Sequence, residues 1–239
     1  MYVVISGGDL VLVVGPEQRC IQVSVDLLRT SSPVFDDMIS AGLVKTPDGV
    51  QGTMELPDDN ALALLHALKI LYGADPVMGQ LTTKEIQEVA VLVDKYRMAP
   101  RFQFIGTFWM RSIPGDNEEC WHLMTAAFWL RLRCSFFEMS KELARARDHM
   151  LFKYANETPD KVLGLRLGMA IQQLQIEEGE MEMGLCLDCF LNADENLIEP
   201  RPNCDFPDRH LMMNAALFAT TANDRDFISV EVPSRTRAA

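Results

Sequence analysis

The sequence predicts an α+β fold, in which a small mixed sheet flanked by helices is followed by an all-α helical extension. Three observations lead to this prediction. A β-branched apolar run over 9–14 and a second run over 20–23 are separated by turn residues, which indicates two neighbouring strands. Apolar residues at helical spacing then recur over 61–72 and 82–98. Helical patterns continue through most of 101–176, so we expect strands only in the first part of the chain.

The ends of the first elements carry local signals. After Asp9, the run 9–14 is continuously apolar, which predicts a strand buried on both faces. Ser24 is a candidate cap for a short helix. Ser32 followed by Pro33 predicts the start of a second helix, because proline suits the first helical position. A third short strand is predicted over 54–56.

Two longer helices follow. The segment 61–72 is apolar almost all round, so we expect it at the centre of the core. The segment 82–98 begins with Thr82 and Glu85, whose spacing matches a capping box. Pro100 is expected to end this helix.

The order of these elements, with the short motifs at their ends, resembles a BTB/POZ domain over residues 8–98. In that family an Asp precedes the first core strand, and a leucine-rich short helix leads into a Ser-Pro-x-Phe segment. A Leu-Pro-Asp-Asp strand end precedes a hydrophobic helix ending in Tyr, and an Ala-x-Leu-x-Asp-Lys-Tyr helix follows. The matching residues are Asp9, Leu27, Leu28, Ser32, Pro33, Phe35, Leu56, Pro57, Asp58, Asp59, Tyr72, Ala90, Leu92, Asp94, Lys95 and Tyr96. We assign residues 5–100 to this BTB/POZ-like domain.

The resemblance implies a non-enzymatic protein–protein interaction module, self-associating or scaffolding, whose partner is another protein. A docking surface is expected around Phe35, Met38 and Ile39, together with the 42–53 loop. The alternative is a substrate adaptor of a cullin-RING ubiquitin ligase. Adaptors of that kind usually carry a hydrophobic-x-Glu element just after the Ser-Pro-x-Phe helix, and residues 38–42 contain no Glu.

A homo-oligomer is a further expectation from the resemblance. Many BTB homodimers exchange an N-terminal strand and helix between subunits. This chain begins eight residues before Asp9, which leaves room for a strand over 2–5 but not for the helix. The sequence therefore does not decide whether the chain dimerises in that way or whether its N-terminus is truncated.

Residues 101–176 are predicted to form a helical extension. Helices are expected over 101–111, 121–132 and 136–154, the last two as a hairpin. The layout resembles the helical tail of many fungal BTB proteins, on the residues Trp121, Ala126, Phe128, Phe137, Ser140 and Leu143. Aromatic residues at helical spacing usually supply buried area, so core positions are favoured over an exposed partner groove.

Residues 177–239 are predicted to form an acidic, Cys-containing, partly disordered tail. Cys186, Cys189, Cys204 and His210 follow the spacing C-x2-C-x14-C-x5-H. Two thiolates two residues apart fit one corner of a zinc site, and a Cys and a His beyond a bending loop complete a tetrahedron. The sequence therefore raises the hypothesis of a structural zinc. The alternative interpretation is a set of unliganded cysteines.

Composition excludes several function classes. The 239 residues include 22 Lys+Arg against 34 Asp+Glu, a net charge of −12, which argues against nucleic acid and anionic membranes as partners. Ten acidic groups and one base lie within 177–208. Six cysteines are too few for a disulfide scaffold, and no secretory signal is evident, so an intracellular protein, cytoplasmic or nuclear, is expected. Since no catalytic motif is found, we do not expect an enzyme.

Overall fold

The computed structural model describes residues 1–45, 52–73, 80–146, 149–176, 183–193, 196–199 and 201–204. Within them the chain is α+β, with a small four-stranded sheet in the first part and helices flanking and following it. The predicted fold class is therefore confirmed.

The sheet contains four strands in the order β1-β3-β2-β4. They are β1 (Tyr2–Val3), β2 (Leu10–Val14), β3 (Arg19–Val23) and β4 (Gly52–Leu56). The predicted pair β2 and β3 is antiparallel, with Leu12 opposite Ile21, and both β1 and β4 add in parallel. The expectation of burial on both faces of β2 was wrong. Its residues alternate between buried and half-buried, because helices cover one face of this small sheet more fully than the other.

Four helices complete the first region. They are α1 (Val25–Ser31), α2 (Pro33–Ser40), α3 (Ala61–Leu71) and α4 (Thr83–Lys95). Ser32 caps α2 by accepting a hydrogen bond from the backbone N–H of Phe35, and Thr82 and Glu85 form the predicted capping box of α4. Ser24 occupies the cap position of α1, but its side chain makes no capping hydrogen bond. Local sequence signals thus placed most of these helix starts correctly.

The end of α4 lies earlier than predicted. The helix stops at Lys95 rather than at residue 98, and Arg97 has a φ of +53°. A 3₁₀ turn over Ala99–Phe102 then leads into the extension. The left-handed residue breaks the helical hydrogen bonding three residues before Pro100, so the proline is not the cause of the helix end.

The extension contains α5 (Gln103–Trp109), α6 (Asn117–Trp129), α7 (Arg133–Ala146), α8 (Leu151–Glu157) and α9 (Lys161–Ile176). The single helix predicted over 136–154 was wrong, since α7 and α8 are separate. Helix α7 lies against α6 and also contacts α9, whereas α8 lies against α9. Gly164 permits the close approach of α9 to α8, because a Cβ there would lie 2.3 Å from the carbonyl oxygen of Ala155.

Part of the region predicted as a tail packs against the extension. A short helix, α10 (Leu187–Leu191), follows α9. Apolar side chains of this segment are buried in the same core as the extension, namely Leu185, Leu187, Phe190, Leu197 and Ile198. Residues 205–239, on which the prediction of disorder mostly falls, lie outside the described residues.

Candidate functional site

The three cysteines singled out in the sequence converge in space. Cys186 is the cap residue of α10, Cys189 lies in its first turn, and Cys204 returns from the following loop. Their sulfur atoms all lie within 4.8 Å of one another, and the Sγ atoms of Cys186 and Cys204 are 3.8 Å apart. His210, the predicted fourth ligand, lies outside the described residues. The spacing of the sequence therefore identified a real cluster of three thiols.

The cluster rests on a well-anchored α10. The Arg133 guanidinium forms an ion pair of 2.8 Å with Asp188, which ties α10 to the start of α7. Phe190 is buried against Phe128 and Phe136, with ring centroids 6.0 and 5.8 Å away. Arg166 of α9 donates a hydrogen bond to the backbone carbonyl of Phe190. These contacts hold the Cys186 and Cys189 thiols in position without a metal.

A hydroxyl on α7 holds the backbone segment that leads into the cysteine cluster. The backbone N–H of Leu185 donates to Oγ of the buried Ser140 over 2.7 Å. Gly184 passes so close to α7 that a Cβ there would lie 2.4 Å from the carbonyl oxygen of Phe137. Because both contacts precede Cys186 directly, the chain enters α10 in one defined position.

Burial controls the chemistry of the thiols. It raises the pKa of the Cys189 thiol to about 12, and the backbone N–H of Arg201, which donates to that sulfur over 3.5 Å, opposes the rise. Burial also raises the pKa of Cys186. In the metal-free chain both groups are therefore protonated near neutral pH, and neither is an activated nucleophile.

The geometry of the thiols fits a tetrahedral metal. Zinc–sulfur bonds of about 2.3 Å place neighbouring sulfurs of a tetrahedron about 3.8 Å apart. The separation of Cys186 and Cys204 equals this value, and all three sulfurs lie within 4.8 Å of one another. The donor set is three soft sulfurs, which are ligands that select zinc or copper(I) over calcium or magnesium.

The predicted partner face on α2 is only partly at the surface. Phe35 is 0% exposed, and its ring stacks on Tyr96 with centroids 4.0 Å apart. Met38 and Ile39 are half-buried and pack against the core. Phe35 therefore packs in the core beneath α2 and is not available to contact a partner. The reason is the helical spacing, which turns Phe35 toward Tyr96 and the hydrophobic core. Of the 42–53 loop, residues 46–51 lie outside the described residues.

A more exposed aromatic face lies on α5, where the sequence predicted core. Phe102 and Trp109 are buried as expected, with 0% and 2% exposure. Phe104 and Phe108, one helical turn apart, are 89% and 49% exposed. The spacing separates two sides of this helix, although it does not indicate which of them faces water. Positions 102, 105 and 109 share one side of a helix, so positions 104 and 108 must face another side.

Comparisons with known proteins do not identify a family. The chain matches no protein-family model, and no curated protein matches it. Within the described residues no helix has both the length and the apolar character needed to cross a bilayer. The BTB/POZ resemblance therefore remains a prediction that depends on the residues named above.

Proposed function

We propose that the protein is a non-enzymatic, intracellular protein–protein interaction module of BTB/POZ type. The observation that carries this proposal is the exposed pair Phe104 and Phe108 on α5, immediately after the BTB/POZ-like region. Large aromatic side chains grouped at a surface are typical of sites that bind other proteins. The predicted order of strands and helices through α4 is compatible with the resemblance.

The surroundings of the aromatic pair suggest the chemistry of the partner. Arg101 and Arg111 are both exposed and flank the pair in the sequence. Ile113, just beyond, is 92% exposed. A partner with an apolar surface and acidic groups at its margin would bury the rings and complement the two guanidinium groups.

Removing both rings should weaken binding of that partner strongly. Proximity labelling in cells identifies the proteins that lie near the wild-type chain. We expect some of these proteins to be absent from the labelled set of the double variant Phe104→Ser/Phe108→Ser. With the purified partner, the dissociation constant should rise at least about 30-fold, which corresponds to about 2 kcal/mol for loss of a hot spot. Calorimetric titration measures this change.

Phe152→Ser is the matched control, because Phe152 is 68% exposed on a different helix, α8. Its labelled proteins and affinity for the partner should equal those of the wild type. An unchanged set of labelled proteins in the double variant would contradict the α5 surface as the binding site.

The cullin-adaptor alternative has a separate test. A purified cullin scaffold and the full chain should show no complex at micromolar concentration, because residues 38–42 lack the acidic group expected of adaptors. A stable complex in gel filtration would replace the general interaction module with the adaptor function.

We further propose that Cys186, Cys189 and Cys204 hold a structural zinc ion, with His210 as the fourth ligand. The 3.8 Å separation of two sulfurs is the supporting observation. A metal there would cross-link α10 to the loop that ends at Cys204, and these thiols are the only cysteines within 177–208. No open coordination position remains in this arrangement, so the proposed role is structural rather than catalytic.

Metal content decides the zinc proposal. Elemental analysis should find about one zinc per wild-type chain, and Cys189→Ser should lose most of it, because a structural site needs all four ligands. Cys134→Ser, which changes an exposed cysteine outside the cluster, should keep the metal. His210→Ala tests the fourth ligand and should weaken zinc binding about tenfold or more in a chelator competition. Wild-type protein without zinc above background, after expression in zinc-supplemented medium, would refute the proposal.

A further inference from the structure

The cysteine cluster has a second chemical option besides binding a metal, because two thiols in contact can be oxidised to a disulfide. The Sγ atoms of Cys186 and Cys204 are 3.8 Å apart, and both residues are reduced in the structure. An S–S bond measures about 2.05 Å, so the two sulfurs need to approach each other by less than about 2 Å. Cys204 lies outside the helices and strands, so no helical hydrogen bonding opposes that approach.

Cys204 is the position at which an oxidant reaches the cluster. Cys186 and Cys189 are 5% and 4% exposed, whereas Cys204 is half-buried. Thiol–disulfide exchange requires direct contact between the attacking sulfur and the disulfide reagent. A soluble disulfide should therefore react first at Cys204, and the two buried thiols should react only with a sulfur of the protein itself.

The pair of Cys186 and Cys204 is favoured over the two other pairs. Cys186 is the cap residue of α10 and has extended backbone angles, φ −78° and ψ 121°, so neither member of this pair lies within a helix. Cys189 lies within α10, whose backbone hydrogen bonds hold its Cα in place. A bond between Cys186 and Cys189 would close a loop of only a few residues, and the stabilisation that a disulfide provides increases with the length of the closed loop.

We infer that Cys186 and Cys204 form a reversible disulfide by exchange with a low-molecular-weight disulfide such as oxidised glutathione. The Cys204 thiolate attacks one sulfur of the reagent, breaks its S–S bond and releases one glutathione thiolate. The Cys186 thiolate then attacks the Cys204 sulfur of the mixed disulfide and releases the second glutathione thiolate. The two protons of the protein thiols pass to the two departing thiolates, so one protein disulfide forms while oxidised glutathione is reduced to two glutathione molecules.

The disulfide and the proposed zinc ion exclude each other. This consequence rests on the proposed zinc site, whereas the disulfide itself needs no metal. Zinc is held by thiolates, and a sulfur in a disulfide is no longer a thiolate. Oxidation of Cys186 and Cys204 removes two of the three sulfur ligands, so the ion should leave. The cluster would therefore couple the metal content of the protein to the thiol–disulfide balance of its surroundings.

Oxidation should leave α10 in place. The ion pair of Asp188 with Arg133 and the packing of Phe190 on Phe136 do not involve the thiols. The disulfide would also join the start of α10 to Cys204, which are positions that the metal would join. Oxidation thus replaces one cross-link by another and changes the metal content rather than the fold.

Mass spectrometry of alkylated peptides tests the pairing. The full chain is stripped of metal with a chelator, incubated with oxidised glutathione, alkylated, and digested at acidic residues. Asp188 separates Cys186 from Cys189, and Asp194 separates both from Cys204. We expect peptides linked through Cys186 and Cys204, an alkylated Cys189, and loss of the link after dithiothreitol. Alkylated Cys186 and Cys204, a link of either to Cys189, or a lasting glutathione adduct on Cys204 would overturn the inference.

Variants separate a failure of this inference from a failure of the zinc proposal. Cys189→Ser, which should lose zinc, should still form the disulfide, whereas Cys204→Ser should keep its thiols alkylatable. Cys134→Ser, which changes an exposed cysteine outside the cluster, is the matched control and should behave as the wild type. Equal oxidation of Cys204→Ser and the wild type would contradict the role of Cys204.

Zinc release connects the two sites of evidence. In zinc-loaded wild type, oxidised glutathione should release about one zinc per disulfide to a chromogenic chelator, because each disulfide consumes two ligands of one ion. A wild type that forms the disulfide but never contains zinc would refute only the zinc proposal. A wild type that contains zinc, yet forms no disulfide after chelation and oxidation, would refute only the present inference.

Discussion

Replacing Trp121 by alanine should lower the free energy of unfolding by about 3–5 kcal/mol, the range expected for removing a buried tryptophan. The indole is 1% exposed in α6. Its Nε1–H donates to Oγ1 of Thr158 over 3.0 Å, and its ring lies 5.9 Å from that of Tyr154. The side chain thereby joins α6 to the end of α8 and the turn before α9. Chemical denaturation of the full chain measures the loss.

One further variant separates packing from hydrogen bonding at this site, and a variant of an exposed ring on α5 is the control. Thr158→Val removes the acceptor of the indole and keeps the volume, so we expect a smaller loss of about 1–3 kcal/mol. Phe104→Ala removes an aromatic ring that is 89% exposed, and its effect should stay within about 0.5 kcal/mol. A Trp121→Ala variant as stable as Phe104→Ala would contradict the described packing of α6.

Replacing Asp59 by alanine should destabilise the part of the chain that contains the sheet by about 2–4 kcal/mol, because it leaves a buried donor without its acceptor. The Asp59 side chain is 2% exposed and accepts from Lys95 Nζ over 2.5 Å. It also accepts a hydrogen bond from the Tyr96 hydroxyl. Burial raises the pKa of Tyr96, and the neighbouring Asp59 carboxylate raises it further. The phenol therefore stays protonated and donates its hydrogen bond to Asp59. Lys95 is half-exposed, and its ion pair contributes less than the buried phenol bond.

Asp58→Ala is the matched control, since Asp58 is the preceding residue and is exposed. It should change the unfolding free energy by less than about 0.5 kcal/mol. Asp59→Asn should cost less than Asp59→Ala, because the amide oxygen still accepts from Tyr96. Equal effects of Asp58→Ala and Asp59→Ala in denaturant titrations would refute a structural role for the buried carboxylate.

The sequence alone predicted the elements whose signals are local. The capping box of Thr82 and Glu85 needs only neighbouring residues, and so does the capping of α2 by Ser32. The alternation and turn residues of 10–23 predicted the antiparallel pair. The cysteine spacing predicted three converging thiols, because Cys-x2-Cys places two sulfurs on one side of a helical turn.

The structure corrected predictions that depend on distant contacts. The sequence predicted one helix over 136–154, and the structure has two: α7 packs on α6 and α9, and α8 packs on α9. Phe35 was expected at a surface, but the stacking of its ring on Tyr96, 61 residues away, puts it in the core. No local pattern contains such a partner.

The starts of α2 and α4, the pairing of β2 with β3 and the cysteine cluster were thus determined by the sequence itself. Only the tertiary structure decided which side of each apolar helix faces water. On α5 it exposes Phe104 and Phe108 while burying Trp109, and on α9 it exposes Met169 while burying Leu167. Both helices are apolar on more than one side, so periodicity cannot rank the sides. The packing of neighbouring helices does so, because it covers some sides and leaves the others for a partner.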